Sequence, residues 1–435
     1  MRTPARIVFA TILAFISLTV VLNGGHAQTR SSAAAQAKSS PGNAPVSGTS
    51  SGPRIWLQTN QPLPVLHRDA ATQSPVGMQG AQPLSMTSGD IDGDGFEELV
   101  VGYSTANGGM IAIHRGNIDA FAPQSDASFQ AIGRGEFPSP FHLEAQTLAV
   151  PVRPDFLAIG NFVGSGSLDL AVARRGDNAI YIFPGDGKGN FGEPETLSVS
   201  GGVTALASGN FGGGHQPTLV VGVGQGQNAA LLVLAGSQQG IVALGGYAVR
   251  GAVSNILFGD FGDSGPDVAF MTGGQIQILR SSNMQLSPVS LPVSVRAFAL
   301  GSFIWDRNGG SQIALVAPDG SVQIAVRNDF DPRVYTAEEF QAIRQASRKH
   351  QPAPDFVPVK TFAAGWKIEE SFSGAAALGP NQTPLIFRTR ISINGADDVM
   401  VLNAFSGQLT LVSHADGQPG AQTYLPGRVS LRPYS

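Results

Sequence analysis

The chain contains no cysteine, which excludes disulfide bonds and a lipid-modified cysteine behind a leader. The core, with or without bound metal, has to hold the fold. Charge is sparse too, at 13% of residues and a formal net charge of -4. Lysine is scarce and no basic patch is on offer, so nucleic acid is not expected as a partner. Long apolar runs are missing beyond the amino terminus. The single run, Ile7 to Leu22, is short for a membrane span. It follows Arg2 and Arg6 and precedes Asn23-Gly24-Gly25-His26-Ala27, which places small residues ahead of a cleavage point. Residues 1–27 therefore read as a secretory signal peptide. A secreted, periplasmic or cell-surface location is expected, with no membrane span after removal of the leader.

Residues 28–53 are Ser, Ala, Gly, Pro and Gln with almost nothing to bury, the composition of a disordered linker. The ordered domain is expected over 54–435. What the chain does have is 55 glycines and 29 prolines beside 42% hydrophobic residues. That balance suits an all-β domain of many short strands joined by tight turns.

One stretch carries sharp chemistry: Gly89-Asp90-Ile91-Asp92-Gly93-Asp94-Gly95-Phe96-Glu97-Glu98-Leu99-Val100-Val101. Asp90, Asp92 and Asp94 place three hard oxygen ligands on alternate positions, and Gly93 and Gly95 allow the backbone to converge them. Glu98 can add a carboxylate and Phe96 its carbonyl, before an apolar β-branched strand begins. The spacing predicts a calcium loop. An EF-hand is excluded, because its twelfth position needs a bidentate Glu where Val101 stands, and no amphipathic helix flanks the loop.

The frame recurs. Gly160-Asn161-Phe162 leads to Asp169-Leu170-Ala171-Val172, Gly209-Asn210-Phe211 to Thr218-Leu219-Val220, and Gly259-Asp260-Phe261 to Asp267-Val268-Ala269. Gly301-Ser302-Phe303 with Gln312-Ile313-Ala314 is a worn fifth copy, and Asp397-Asp398-Val399-Met400 keeps the second half of a sixth. Most starts lie about 42 to 50 residues apart, the length of a four-stranded blade. Within the second copy, Leu170 to Ala173 and Ala179 to Phe183 flank Gly176-Asp177-Asn178, a hairpin signature. Two longer spacings mark insertions near 121–144 and 331–362. The second starts Thr336-Ala337-Glu338-Glu339, a capping box opening the one short helix expected. Such inserts are the natural place for a partner surface.

The pattern Asp-x-Asp-Gly-Asp-Gly-x-x-Glu-Leu-x-Val resembles the FG-GAP or VCBS repeats of integrin-α-like β-propellers, over roughly residues 80–415. The resemblance implies a propeller of about six to seven four-stranded blades. Leu425 to Leu431 look like the start of a seventh repeat, which Arg54 to Gln58 would complete if the ring closes. It also implies calcium ligands at Asp90, Asp92, Asp94, Phe96 and Glu98, and a weaker second metal site at Asp260, Asp263 and Asp267. In the second copy Asn161 and Asp169 match ligand positions but Val163 does not. The implied role is a monomeric calcium-binding module for extracellular carbohydrate or protein, as in cell adhesion. A rhamnogalacturonan-type polysaccharide lyase is the alternative, and a structural module of an envelope assembly a third.

Several look-alikes are explained by the repeat itself. Arg175-Gly176-Asp177 spells an integrin-recognition tripeptide, yet the repeat places its hairpin turn there. Gly262-Asp263-Ser264-Gly265-Pro266 has a protease-like look without the His motif to match, and Gly222-Val223-Gly224-Gln225-Gly226 has no helix after it to bind phosphate. The seven His residues show no metal spacing. Trp56, Trp305 and Trp366 are expected in blade packing rather than stacked on sugars.

Overall fold

A computed structural model describes residues 65–136, 138–213, 217–225, 228–237, 240–262, 265–351, 354, 365–374, 376, 378, 382–392, 395–403, 406–413 and 420–424. The expected leader and linker, and the two terminal segments expected to make a seventh repeat, lie outside them.

The described strands form six sheets, the blades of a β-propeller. Blade 1 holds β1 (Leu66–Asp69), β2 (Gln82–Gly89), β3 (Glu98–Thr105), β4 (Gly108–Gly116) and β5 (Phe141–Val150). Blade 2 holds β6 (Phe156–Gly160), β7 (Asp169–Ala173), β8 (Ala179–Phe183) and β9 (Glu195–Ser198). Blade 3 follows with β10 (Gly202–Gly209), β11 (Thr218–Gln225), β12 (Asn228–Ser237) and β13 (Gly240–Val249). Blade 4 has β14 (Val253–Gly259), β15 (Asp267–Thr272), β16 (Gln275–Arg280) and β17 (Gln285–Pro288). Blade 5 has β18 (Ala297–Gly301), β19 (Gln312–Val316), β20 (Val322–Arg327) and β21 (Trp366–Phe372), and blade 6 β22 (Leu385–Thr389), β23 (Asp398–Asn403), β24 (Gln408–Ser413) and β25 (Gly420–Tyr424). Each blade is an antiparallel meander whose order in space is its order in sequence. Among the described strands, blade 1 alone adds an outer one, β1, which pairs parallel to β5 with Leu66 opposite Glu144.

The apolar alternation of the strands builds a core between each successive pair of blades. Leu170 and Val172 face blade 1, where they meet Val100, Ile111 and Ile113. Their neighbours Ala171 and Ala173 face blade 3 and meet Leu219 and Val221. All nine of these side chains, the two alanines included, are at or below 1% exposure, so each of the seven large ones contributes about 1.5–3 kcal/mol of burial. The glycine ending the first strand of a blade is demanded by this stacking. A Cβ at Gly89 would sit 2.9 Å from Ile159 Cγ2 of blade 2, and one at Gly209 would sit 2.5 Å from Phe258 of blade 4. The aromatic residue two positions on plugs the loop from inside, with Phe162 at 1%, Phe261 at 0% and Phe303 at 1% exposure.

The capping box of the late insert forms. Helix α3 (Ala337–Arg348) starts behind Thr336, whose hydroxyl accepts the Glu339 N–H at 3.3 Å while Glu339 Oε2 accepts the Thr336 N–H at 2.8 Å. The connection from β4 to β5 also carries two short helices that the sequence reading did not include, α1 (Ile118–Phe121) and α2 (Asp126–Gly133), capped by Asn117 and Ser125. Trp366 packs edge-on against Phe261 at 5.7 Å in the core. Trp305 departs from expectation: it is 48% exposed, its ring lies 5.7 Å from Tyr335, and its indole N–H reaches the Arg333 carbonyl. Trp56 lies outside the described residues. No described helix is long and apolar enough to cross a membrane.

Candidate metal centre

The first residue of the second strand is buried and polar in all six blades: Glu98, Asp169, Thr218, Asp267, Gln312 and Asp398, none above 3% exposed. Each sits opposite the last residue of the first strand, Gly89 facing Glu98 and Gly160 facing Asp169. The loop joining the two strands therefore closes over this side chain. A buried carboxylate must find hydrogen bonds or charge there, and the blades differ in how they supply them.

In blade 2, Asp169 is fully met by the backbone. Its Oδ2 accepts the N–H groups of Phe162 and Val163 at 2.6 and 2.9 Å, and its Oδ1 accepts that of Gly185 at 3.0 Å. Blade 6 repeats the arrangement, with Asp398 Oδ2 accepting from Ile391 and Ser392, both at 2.7 Å, and Oδ1 from the Ser392 hydroxyl. Gln312 of blade 5 grips the Ile304 N–H and carbonyl with its two amide ends, at 2.8 and 2.7 Å. At these positions the side chain is a brace for the loop.

Blade 1 differs. Glu98 Oε2 accepts the Ile91 N–H at 2.8 Å, the same brace, but its Oε1 is buried and without a hydrogen-bond partner. Asp90 Oδ1 is buried and without one as well, while its Oδ2 accepts the Gly95 N–H at 3.1 Å. Asp90, Asp92 and Glu98 bring one oxygen each to within 4.8 Å of one another, and among the described residues no other cluster of acidic or imidazole ligands does so. Asp94 stays outside the cluster and turns Oδ1 back on the Phe96 N–H at 2.8 Å. Positive φ at Gly93 (77°) and Gly95 (93°) gives the loop its tight course. Burial pushes the Glu98 carboxyl up from 4.5 to about 7; the Ile91 N–H works against that rise, and the charges of Asp92, Asp94 and Asp90 add to it.

One cation of the chain already reaches the cluster. Arg115 on β4 places Nη1 3.3 Å from Asp92 Oδ2 and donates through Nη2 to the Lys188 carbonyl of blade 2 at 3.2 Å. It ties the acidic loop to the Asp186–Asn190 turn. Three carboxylates against one half-exposed guanidinium leave a surplus of negative charge around oxygen-only donors, and two of those oxygens are unpaired. This set suits a hard divalent cation, which takes oxygen ligands alone, and a bound cation would return Glu98 to its ionised form.

The weaker second site is divided. Asp260 Oδ1 accepts the Gly262 N–H at 3.2 Å, and Asp263 lies outside the described residues. Asp267 Oδ1 accepts the Ser281 N–H at 2.6 Å, and the Arg280 guanidinium stands 3.4 Å from its Oδ2, supplying the positive charge from within the blade. In blade 2, Asn161 Oδ1 is buried without a partner, but the acid of that loop, Asp169, gives both its oxygens to backbone N–H groups. The Arg175-Gly176-Asp177 turn is built into the fold: the Gly176 N–H bonds the Val203 carbonyl at 2.9 Å and the Val203 N–H the Asp177 carbonyl at 2.8 Å. Asp263 and Ser264 of the protease-like stretch are outside the described residues.

Residues 83–114, from β2 through the acidic loop into β4, match the family model for the FG-GAP repeat. No curated protein matches the chain. Similar solved structures include "Structure of U3-55K" (13% identity, 78% of this chain and 83% of that one, TM-score 0.38). "Structure of ctPRC2 in complex with H3K27me3 and H3K27M" is another (11% identity, 76% and 66%, TM-score 0.44), as is "Structure of Dos1 propeller" (12%, 82% and 69%, 0.37). At those scores they bear on neither site nor function.

Proposed function

From the FG-GAP repeat at residues 83–114 of a six-bladed β-propeller, we propose that this protein is an exported, calcium-braced binding module directed at carbohydrate or protein outside the cell. The observation that carries the metal is the pair of buried, unpartnered oxygens, Asp90 Oδ1 and Glu98 Oε1, in a cluster completed by Asp92. Asp94 and the Phe96 carbonyl stand in the same loop and join the ligand set when the loop tightens around the ion. Calcium supplies charge compensation in place of the donors that blades 2 and 6 draw from their own backbone. Its role is to stiffen blade 1, not to activate a substrate. The leader-like run behind Arg2 and Arg6 supports export, and FG-GAP repeats are typical of extracellular proteins. The propeller scaffold supports a binding role, since its loops gather at two faces while the sheets stay rigid.

Isothermal titration of the full chain with calcium chloride tests the reading. One site with a dissociation constant on the order of 0.1–1 mM is expected, and it should vanish in Asp90→Ala and Asp92→Ala. A chain that takes up no calcium, or that binds it equally well in both variants, would overturn the assignment.

A further inference from the structure

A cavity of about 900 Å³ opens between blades 2, 3 and 4. The first strands of successive blades end side by side, as the approach of Gly89 to Ile159 and of Gly209 to Phe258 shows, and the acidic loop follows those ends. The cavity lies where these strands begin, around Ser200 to Thr204 and Ala252 to Ser254. It therefore occupies the opposite face of the propeller from the metal centre.

Its lining contains one charged residue, Arg175, and no acid. Asp155, which accepts the Arg175 backbone N–H, is paired with Arg153 at 2.9 Å, and Asp177 with Arg174 at 3.9 Å. Arg175 itself has no ion pair among the described residues. Its guanidinium lies 4.5 Å over the Phe156 ring and gives one Nη1 bond to the Thr204 carbonyl at 3.1 Å. Its own N–H is fixed to Asp155 Oδ2 at 3.0 Å. The cation is thus held by stacking, by a backbone carbonyl and by a turn bonded to blade 3 on both sides of Gly176. Most of its five donors remain for a ligand, and a guanidinium fork matches a carboxylate. Around it stand neutral hydrogen-bonding groups, Asn178, Ser200 and Ser254, with Val203 and Val253 as the apolar part of the wall. The volume falls in the range of small-molecule sites.

We propose that this cavity binds a carboxylate carried on a hydroxylated carbon skeleton, a sugar acid or small hydroxy acid, with Arg175 receiving the carboxylate and Asn178, Ser200 and Ser254 the hydroxyls. This deepens the binding-module reading and rests on it, at a site that needs no metal. The test is calorimetric titration of the full chain with D-glucuronate, D-glucose and L-lactate, each in calcium and in chelator. Glucuronate is expected to bind, and glucose, alike but for the carboxylate, to bind at least roughly tenfold more weakly, the scale of one charge-assisted hydrogen bond. Lactate binding as well as glucuronate would assign the site to small hydroxy acids; glucuronate binding better would assign it to acidic sugars. Arg175→Gln keeps an amide donor for the Thr204 carbonyl and should retain the thermal transition while losing glucuronate. Arg348→Ala, on helix α3, should bind as the parent does. No binding of either acid, equal binding of glucose, or undiminished binding by Arg175→Gln would overturn the proposal. Acid binding by a parent chain that takes up no calcium would uphold this proposal while contradicting the metal reading.

Discussion

Glu98 of blade 1 and Asp169 of blade 2 occupy the same place in consecutive repeats, at 1% and 0% exposure, yet their surroundings are opposite in kind. Asp169 spends both oxygens on three backbone N–H groups. Glu98 spends one, and its other oxygen joins Asp90 and Asp92 in an acidic cluster that a single guanidinium, Arg115 on Asp92, reaches. Blade 4 offers a third answer, a guanidinium from β16 beside Asp267. A propeller repeat thus poses one electrostatic problem, a carboxylate sealed under a loop, and solves it by peptide dipoles, by an internal cation, or by a site shaped for an external one. The lesson is that an acid in a metal-loop position is a ligand only where its oxygens are left over.

The largest effect should come from breaking the backbone answer. Asp169→Ala leaves three buried donors without an acceptor and should cost on the order of 3–5 kcal/mol in chemical denaturation, equally with calcium and with chelator. A calcium-dependent loss would move Asp169 into the metal's sphere and erase the contrast.

Blade 1 holds a second buried titratable group of opposite sign. Burial pushes His114 down from 6.5 to about 4, with His67, 6.0 Å away ring to ring, adding to the fall. The folded pKa is depressed, so the unfolded chain binds the proton more readily. The contribution of this group is complete above pH 6.5 and falls as pH drops toward 4, by about 3 kcal/mol, while Glu98, held up at about 7, contributes in the opposite direction as it protonates between pH 7 and 4.5 in chelator. His114→Phe should therefore gain stability relative to the parent as pH falls from 7 to 4 in a urea series in chelator. A slope unchanged by the variant would place the titration elsewhere.

Smaller still is the internal cation. Arg280→Gln removes charge from beside Asp267 while Arg280 is partly solvated, so a loss of about 2 kcal/mol is expected. The comparison sharpens if this variant gains sensitivity to calcium, since blade 4 would then resemble blade 1.

Much of the architecture was legible because the repeat writes its constraints at fixed spacing. The polar residue starting the second strand recurs in every blade from Glu98 to Asp398, the glycine that lets the next blade approach in the first five, and the aromatic plug in blades 2 to 5. The capping box at Thr336 was legible for the same reason, a local pattern with a local cause. Helices α1 and α2 were missed because each is too short for periodicity to speak, and their caps at Asn117 and Ser125 look like any loop polar residue. The parallel pairing of β1 with β5 joins Leu66 to Glu144 across most of a blade, a contact no local signal announces. At the site, the acids themselves were visible, but what separates Glu98 from Asp169 was not. The deciding groups are the backbone of Gly185, the guanidinium of Arg280 and that of Arg115, all brought in from other strands. The cavity is assembled from three blades, and those of its residues that drew notice in the sequence, Arg175, Gly176, Asn178 and Gly224, did so as parts of turns and look-alike motifs.

The most direct test is thermal unfolding of the full chain and of two variants, Glu98→Gln and Asp169→Asn, each with calcium and with chelator. Calcium at 100 times its dissociation constant should add about 2.7 kcal/mol to the parent, that increment should disappear in Glu98→Gln, and Asp169→Asn should melt earlier while keeping it. If calcium leaves the parent unchanged, or if Asp169→Asn loses the increment and Glu98→Gln keeps it, the division between a braced carboxylate and a metal-holding one is wrong.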